Sequence, residues 1–134
     1  MSVVCAIIGD SIAVGIATAE GLSVRHRPPC VMDAKVGIPS AQIIGRVHSA
    51  DLLVVSAGSN DPDNPKLEAN LRAIRVKATG KVLWIIPVNP RAARLVKKVA
   101  AEHGDQTVSF TPGRDHLHPH SYALLIAFIM KGVP

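Results

Sequence analysis

Five short apolar runs, at 3–8, 31–36, 52–57, 82–86 and 107–110, alternate along the chain with five stretches of helical periodicity, at about 12–20, 40–48, 65–78, 90–103 and 120–131. No other feature narrows the fold as far. Two parallel strands need a long crossover between them, and right-handed helical crossovers cover both faces of the sheet they build. The first run, Val3-Val4-Cys5-Ala6-Ile7-Ile8, is apolar at consecutive positions, the pattern of a central strand covered above and below. Leu67, Leu71, Ile74 and Ala78 are spaced four, three and four apart, which draws one apolar stripe along a helix. Pro65 stands at a first-turn position before that stripe, and Pro90 opens the next helix in the same way. These signals predict one α/β domain over residues 1–134, a three-layer α/β/α sandwich around a five-stranded parallel sheet. The strand order expected for five such units is 2-1-3-4-5, the flavodoxin-like order.

Composition removes several classes of function. The longest greasy helix, Tyr122 to Met130, is too short to span a bilayer. The first apolar run has no basic leader and ends in Gly-Asp-Ser, unlike a signal peptide, so a cytoplasmic location is the default expectation, with phage carriage or another export route open. A net charge of +5 raises nucleic acid as a partner. However, Arg91, Arg94, Lys97 and Lys98 share one helix opposite Ala93, Val96 and Ala100, the layout of a solvated face. Trp84, Phe110, Tyr122 and Phe128 are the only aromatics, and they form no stacking platform along the chain. No nucleic-acid partner is expected, and the oligomeric state is not legible. Cys5 and Cys30 have neither metal-ligand spacing nor a disulfide framework. A bridge between them is conceivable, since both fall in or near early strands, but buried free thiols in a reducing compartment are the expectation.

Function should therefore lie in the loops after the strands, because open α/β sheets bind ligands beyond the carboxyl ends of their strands. After the first strand comes "GDSIAVG", in which Gly9 permits a sharp turn and Asp10 and Ser11 favour a helix start. The second strand is followed by "KVGIPSAQ" with Gly37, and the third by "SAGSNDPDNP" with Gly58, Asn60 and Asp61. After the fifth comes "GRDHLHPHSY", with Asp115, His116, His118 and His120. Each segment alone reads as turn chemistry or a cap. Together they place a nucleophile, a base, an orienting carboxylate and oxyanion donors on one rim, which suits acyl transfer.

"GDSIAVG", Gly37, "GSND" and "DHLHP" resemble, in order and spacing, the four signature blocks of the SGNH hydrolases, also called GDSL esterases and lipases. The resemblance spans nearly the whole chain. It implies that Ser11 is the nucleophile, His118 the general base and Asp115 its orienting partner. It also implies an oxyanion hole from the backbone N–H groups of Ser11 and Gly37 and the side chain of Asn60, with no cofactor and no metal. A serine hydroxyl becomes a competent nucleophile once an imidazole takes its proton, and a carboxylate fixes the imidazole tautomer. Asp-x-x-His delivers both groups from one turn, while Asp10 braces the turn before Ser11.

The chain departs from the family pattern at His116, which stands beside Asp115 where it could compete for the carboxylate. It is also near the family's minimum length, with no segment for a lid or for the walls of a long-chain acyl cavity. The expected activity is hydrolysis of short-chain, chiefly acetyl, esters through an acyl-enzyme, on small-molecule, carbohydrate or cell-wall carriers. A thioesterase or lysophospholipase-type hydrolase of longer acyl chains stays open. So do a metal site from His116, His118 and His120, whose alternation Pro119 interrupts, and a non-catalytic binding module on the same fold.

Overall fold

The computed structural model describes residues 2–18 and 30–134. Ten elements alternate: β1 (Val3–Gly9), α1 (Ser11–Thr18), β2 (Val31–Ala34), α2 (Ser40–Ile44), β3 (Ala50–Ser56), α3 (Leu67–Lys77), β4 (Lys81–Ile85), α4 (Pro90–Glu102), β5 (Gln106–Val108) and α5 (Tyr122–Gly132). The five strands form one parallel sheet in the order β2-β1-β3-β4-β5, as expected.

Successive side chains on a strand point to opposite faces, so the central strands β1, β3 and β4 each feed two cores. Ala6, Ile8, Leu53, Val55, Val82 and Trp84 face α2, α3 and α4. Cys5, Ile7, Leu52, Val54, Leu83 and Ile85 face α1 and α5. The indole N–H of the buried Trp84 donates to Asp105 Oδ2 at 3.0 Å, and Arg75 pairs with the same carboxylate, so no polar group is stranded there.

Besides α2, which ends at Ile44 rather than at 48, where Arg46 N–H turns back onto Ile43 O, two details differ from the sequence expectation. Ala6 pairs with Val31, which sets Cys5 opposite Cys30 on adjacent chains of the sheet. Their Cα atoms are 4.4 Å apart and the two residues form a disulfide, correcting the expectation of free thiols. The parallel register produces this pairing, and spacing in the sequence does not reveal register. Second, α3 begins at Leu67 rather than at Pro65, because Asn64 closes a turn over Pro65 and Lys66 by accepting Lys66 N–H on its side chain. Pro90 is the first residue of α4, where Asn89 caps the free N–H groups of Arg91 and Ala92. Positions 19 and 20 of the expected first helix lie outside the described residues. No helix among the described residues is long and apolar enough to cross a membrane.

Gly9 shapes the exit from β1. Its φ is +138°, and a Cβ there would stand 2.0 Å from the Ser56 carbonyl oxygen. Only glycine permits that approach, and the next N–H, of Asp10, donates to the same carbonyl at 3.2 Å.

Candidate active site

Ser11 is the first residue of α1, directly beyond the carboxyl end of β1. Its hydroxyl lies 2.6 Å from His118 Nε2, although 107 residues separate the two. On the other edge of the imidazole, Nδ1 is 2.5 Å from Asp115 Oδ2. Asp115 Oδ1 accepts the backbone N–H groups of Leu117 and His118 at 3.0 and 2.9 Å. Those bonds and the imidazole hold the exposed Asp115 carboxyl well below the usual carboxylate range, with the His118 N–H first among the causes. An ionised Asp115 requires the proton on Nδ1, which leaves the Nε2 lone pair to accept from the Ser11 hydroxyl.

This loop works as a small hairpin. His120 N–H donates to Thr111 O, Pro112 and Pro119 form an antiparallel bridge, and Gly113 N–H donates to His118 O. Between Asp115 and His118 the chain must reverse, and His116 does so in the left-handed region at φ 57°. With both Asp115 oxygens occupied, the hydrogen-bonding competitor for the carboxylate is His118 and not His116.

Asp10 is fully buried beside Ser11. Its Oδ1 accepts Ile12 N–H at 3.1 Å and the hydroxyl of the equally buried Ser56 at 2.8 Å. The carboxyl therefore ties the first turn of α1 to the end of β3, and burial pushes its pKa up. Asp10 Oδ2 and Ser59 Oγ are buried without a hydrogen-bond partner among the described residues.

The remaining sequence candidates come from the loops after β2 and β3. Gly37 has φ +82°, and no atom stands within 4 Å of where its Cβ would be, so the backbone there is bare. The Asn60 amide donates to Ile38 O at 3.1 Å, setting it beside Gly37 and leaving its second hydrogen free of that bond. Asp61 fixes both loops. It accepts Ser40 N–H at 3.0 Å and Ser40 Oγ–H at 2.6 Å, and Asn64 donates to it at 3.0 Å. Asn70, from α3, donates in turn to Ser40 Oγ. Arg91, read from the sequence as part of a solvated face, donates to the Pro62 and Asn64 carbonyls and clamps the same loop. Sequence reasoning left this bracing network unassigned; its one visible signal is the density of Asp and Asn in "SNDPDNP".

Two residues on the helices complete the surroundings. Gly15 lies one turn after Ser11 on α1, and a Cβ there would stand 2.3 Å from the Tyr122 ring. Tyr122 thus packs from α5 against α1, where burial and then the charges of Asp115 and Asp10 push the phenol up. Between β5 and α5 lies a groove of about 540 Å³ whose walls include Phe110, Leu125 and Phe128. The sequence expectation of no segment for an apolar wall is corrected here, since α5 is apolar on its outer side as well as its inner one. His116, His118 and His120 do not converge: His118 turns to Ser11, and His120 lines the groove. No group of three or more His, Cys, Asp or Glu among the described residues is placed to hold a metal ion.

No protein-family model matches the chain, and no curated protein does. Among solved structures, the chain is similar to the C-terminal catalytic domain of Streptococcus pneumoniae peptidoglycan O-acetyltransferase A, OatA, determined with a methylsulfonyl adduct. The two share 16% sequence identity and a TM-score of 0.62, over 100% of this chain and 97% of that one. The likeness is one of architecture: the chain has the fold of that catalytic domain.

Proposed function

We propose that this chain is a serine ester hydrolase of the SGNH type, cleaving short-chain, chiefly acetyl, esters through an acyl-enzyme. The observation that carries the reading is the unbroken line Ser11 Oγ, His118 Nε2, His118 Nδ1, Asp115 Oδ2, joined at 2.6 and 2.5 Å. His118 takes the Ser11 proton as Oγ attacks the ester carbonyl, and Asp115 stabilises the imidazolium that forms. The carbonyl oxygen gains negative charge, which the N–H groups of Ser11 and Gly37 and the free hydrogen of Asn60 receive, aided by the positive end of α1. His118 then protonates the departing alcohol, and a water activated by the same imidazole releases the acid.

The loops bearing Gly37 and Asn60 are tied together through Asn60–Ile38 and Asp61–Ser40, which fixes the proposed oxyanion donors relative to each other. The OatA domain, by its name, transfers acetyl groups on peptidoglycan, which supports acetyl chemistry on a carbohydrate carrier for this fold. Water is the acceptor in this reading, and it can reach the site: Asp115 is exposed and the His118 side chain is 34% accessible.

The test is hydrolysis of an acetyl ester by Ser11→Ala and His118→Ala. Each should lower turnover by about four to six orders of magnitude, and the double variant should be no worse than either single one. Near-normal hydrolysis by Ser11→Ala would refute the serine mechanism.

A further inference from the structure

The groove between β5 and α5 shares a wall with the hairpin that carries His118. Thr111 and His120, hydrogen-bonded to each other, line it, and the Gly113–His118 pair lies two rungs further along the same ladder. Two rungs span about 7 Å, so the groove mouth is a short step from the imidazole. Ester cleavage fixes what belongs on that side. As the bond from Ser11 Oγ to the acyl carbon forms and the carbon–alkoxide bond breaks, His118 Nε2 returns its proton to the alkoxide oxygen. The alcohol therefore leaves past the imidazole.

The lining suits one kind of alcohol. Both phenylalanines of the chain, Phe110 and Phe128, stand in this groove, and Leu124 beside them is 78% exposed. Thr111, His120 and Ser121, which carry hydroxyl and imidazole groups, are the residues at its hairpin end. Apolar faces with a few hydrogen-bonding groups, and no carboxylate, guanidinium or ammonium among the described residues, match a neutral ring that is apolar on its faces and hydroxylated at its edge. A plain alkyl chain would leave the hydroxyl groups unused. We infer that the β5–α5 groove holds the carrier, namely the neutral sugar residues of a carbohydrate chain next to the one whose acetyl ester is cleaved. This inference rests on the ester-hydrolase reading above.

The experiment compares ethyl acetate, which has no carrier, with partially acetylated xylan as a neutral carbohydrate ester. Leu124→Glu and Phe128→Ala are the variants; the first replaces a side chain that is already mostly in water. Thermal unfolding confirms that each is folded. Both variants should lose about tenfold or more in kcat/KM on the xylan, through KM, and stay within about twofold on ethyl acetate. Unchanged xylan kinetics, or wild-type enzyme that cleaves ethyl acetate but not the xylan, would overturn the inference. A loss confined to decyl acetate would overturn it in favour of an alkyl alcohol. A dimer that Leu124→Glu converts to monomer with xylan kinetics intact would mark the groove as an interface between copies instead. Failure of the ester-hydrolase reading has a separate signature, ethyl acetate cleavage that survives Ser11→Ala.

Discussion

His116 holds φ at 57° between the two residues that most need fixed positions, Asp115 and His118. A left-handed non-glycine residue is uncommon, and such residues gather at functional sites. The sequence shows the histidine but not its backbone angle, so its part in turning Asp115 towards the imidazole was not legible. Asp10, by contrast, was read as a brace and forms one, through Ser56 and Ile12. Its burial raises its pKa, so the folded chain binds that proton more tightly than the unfolded chain does. Wild-type stability therefore falls as pH rises from the unfolded carboxyl value through the folded one, and Asp10→Asn escapes that loss. Unfolding curves of the two proteins against pH should diverge upward from the ordinary carboxylate range, in favour of Asp10→Asn. Parallel curves would mean that the fold does not burden this carboxyl. Asn60 carries a different expectation. One hydrogen of its amide is bound to Ile38 O, and under the proposed mechanism the other meets the oxyanion, so Asn60→Ala should cost about a hundred- to a thousandfold in kcat. A change in KM alone would make it a ground-state contact.

At the scale of elements, apolar periodicity placed every strand and helix within a few residues, because the central strands β1, β3 and β4 each feed two cores and each helix packs on one. Boundaries moved where side chains rather than hydrophobicity set them, as Asn64 does before α3. Register stayed hidden, and with it the Cys5–Cys30 bridge. Packing between helices was hidden too: nothing in "IAVGIA" announces that Gly15 makes room for a tyrosine more than a hundred residues away. That contact predicts a sign reversal. Gly15→Ala gains about 1 kcal/mol of helix propensity, yet overpacking against the Tyr122 ring costs about 1–3 kcal/mol, so the variant should be destabilised or at best neutral. In a Tyr122→Ala background the clash is gone, and the same substitution should stabilise by about 1 kcal/mol. Equal effects in both backgrounds, read from denaturant unfolding, would show that α1 and α5 do not meet as described.

Across the whole molecule, the sheet order explains how distant segments reach one site. Gly37, Ser11 and Asn60 follow the adjacent strands β2, β1 and β3, so parallel strands bring three loops to one edge without any long-range motif. The hairpin after β5 crosses from the far edge of the sheet to meet Ser11, and this closure is the step a linear reading can only infer from resemblance. The groove was missed for a related reason: no segment looked free to build a cavity wall, and the outer faces of α5 and β5 meet only in three dimensions.

The central claim is that Ser11 is activated by His118 to form a covalent acyl-enzyme. Labelling with a serine-reactive phosphonate, followed by peptide mass mapping, tests it most directly. A single adduct is predicted on the peptide containing Ser11, matched by loss of ester hydrolysis, and slowed by orders of magnitude in His118→Ala. Labelling at another residue, or full labelling of Ser11 with hydrolysis intact, would contradict the account.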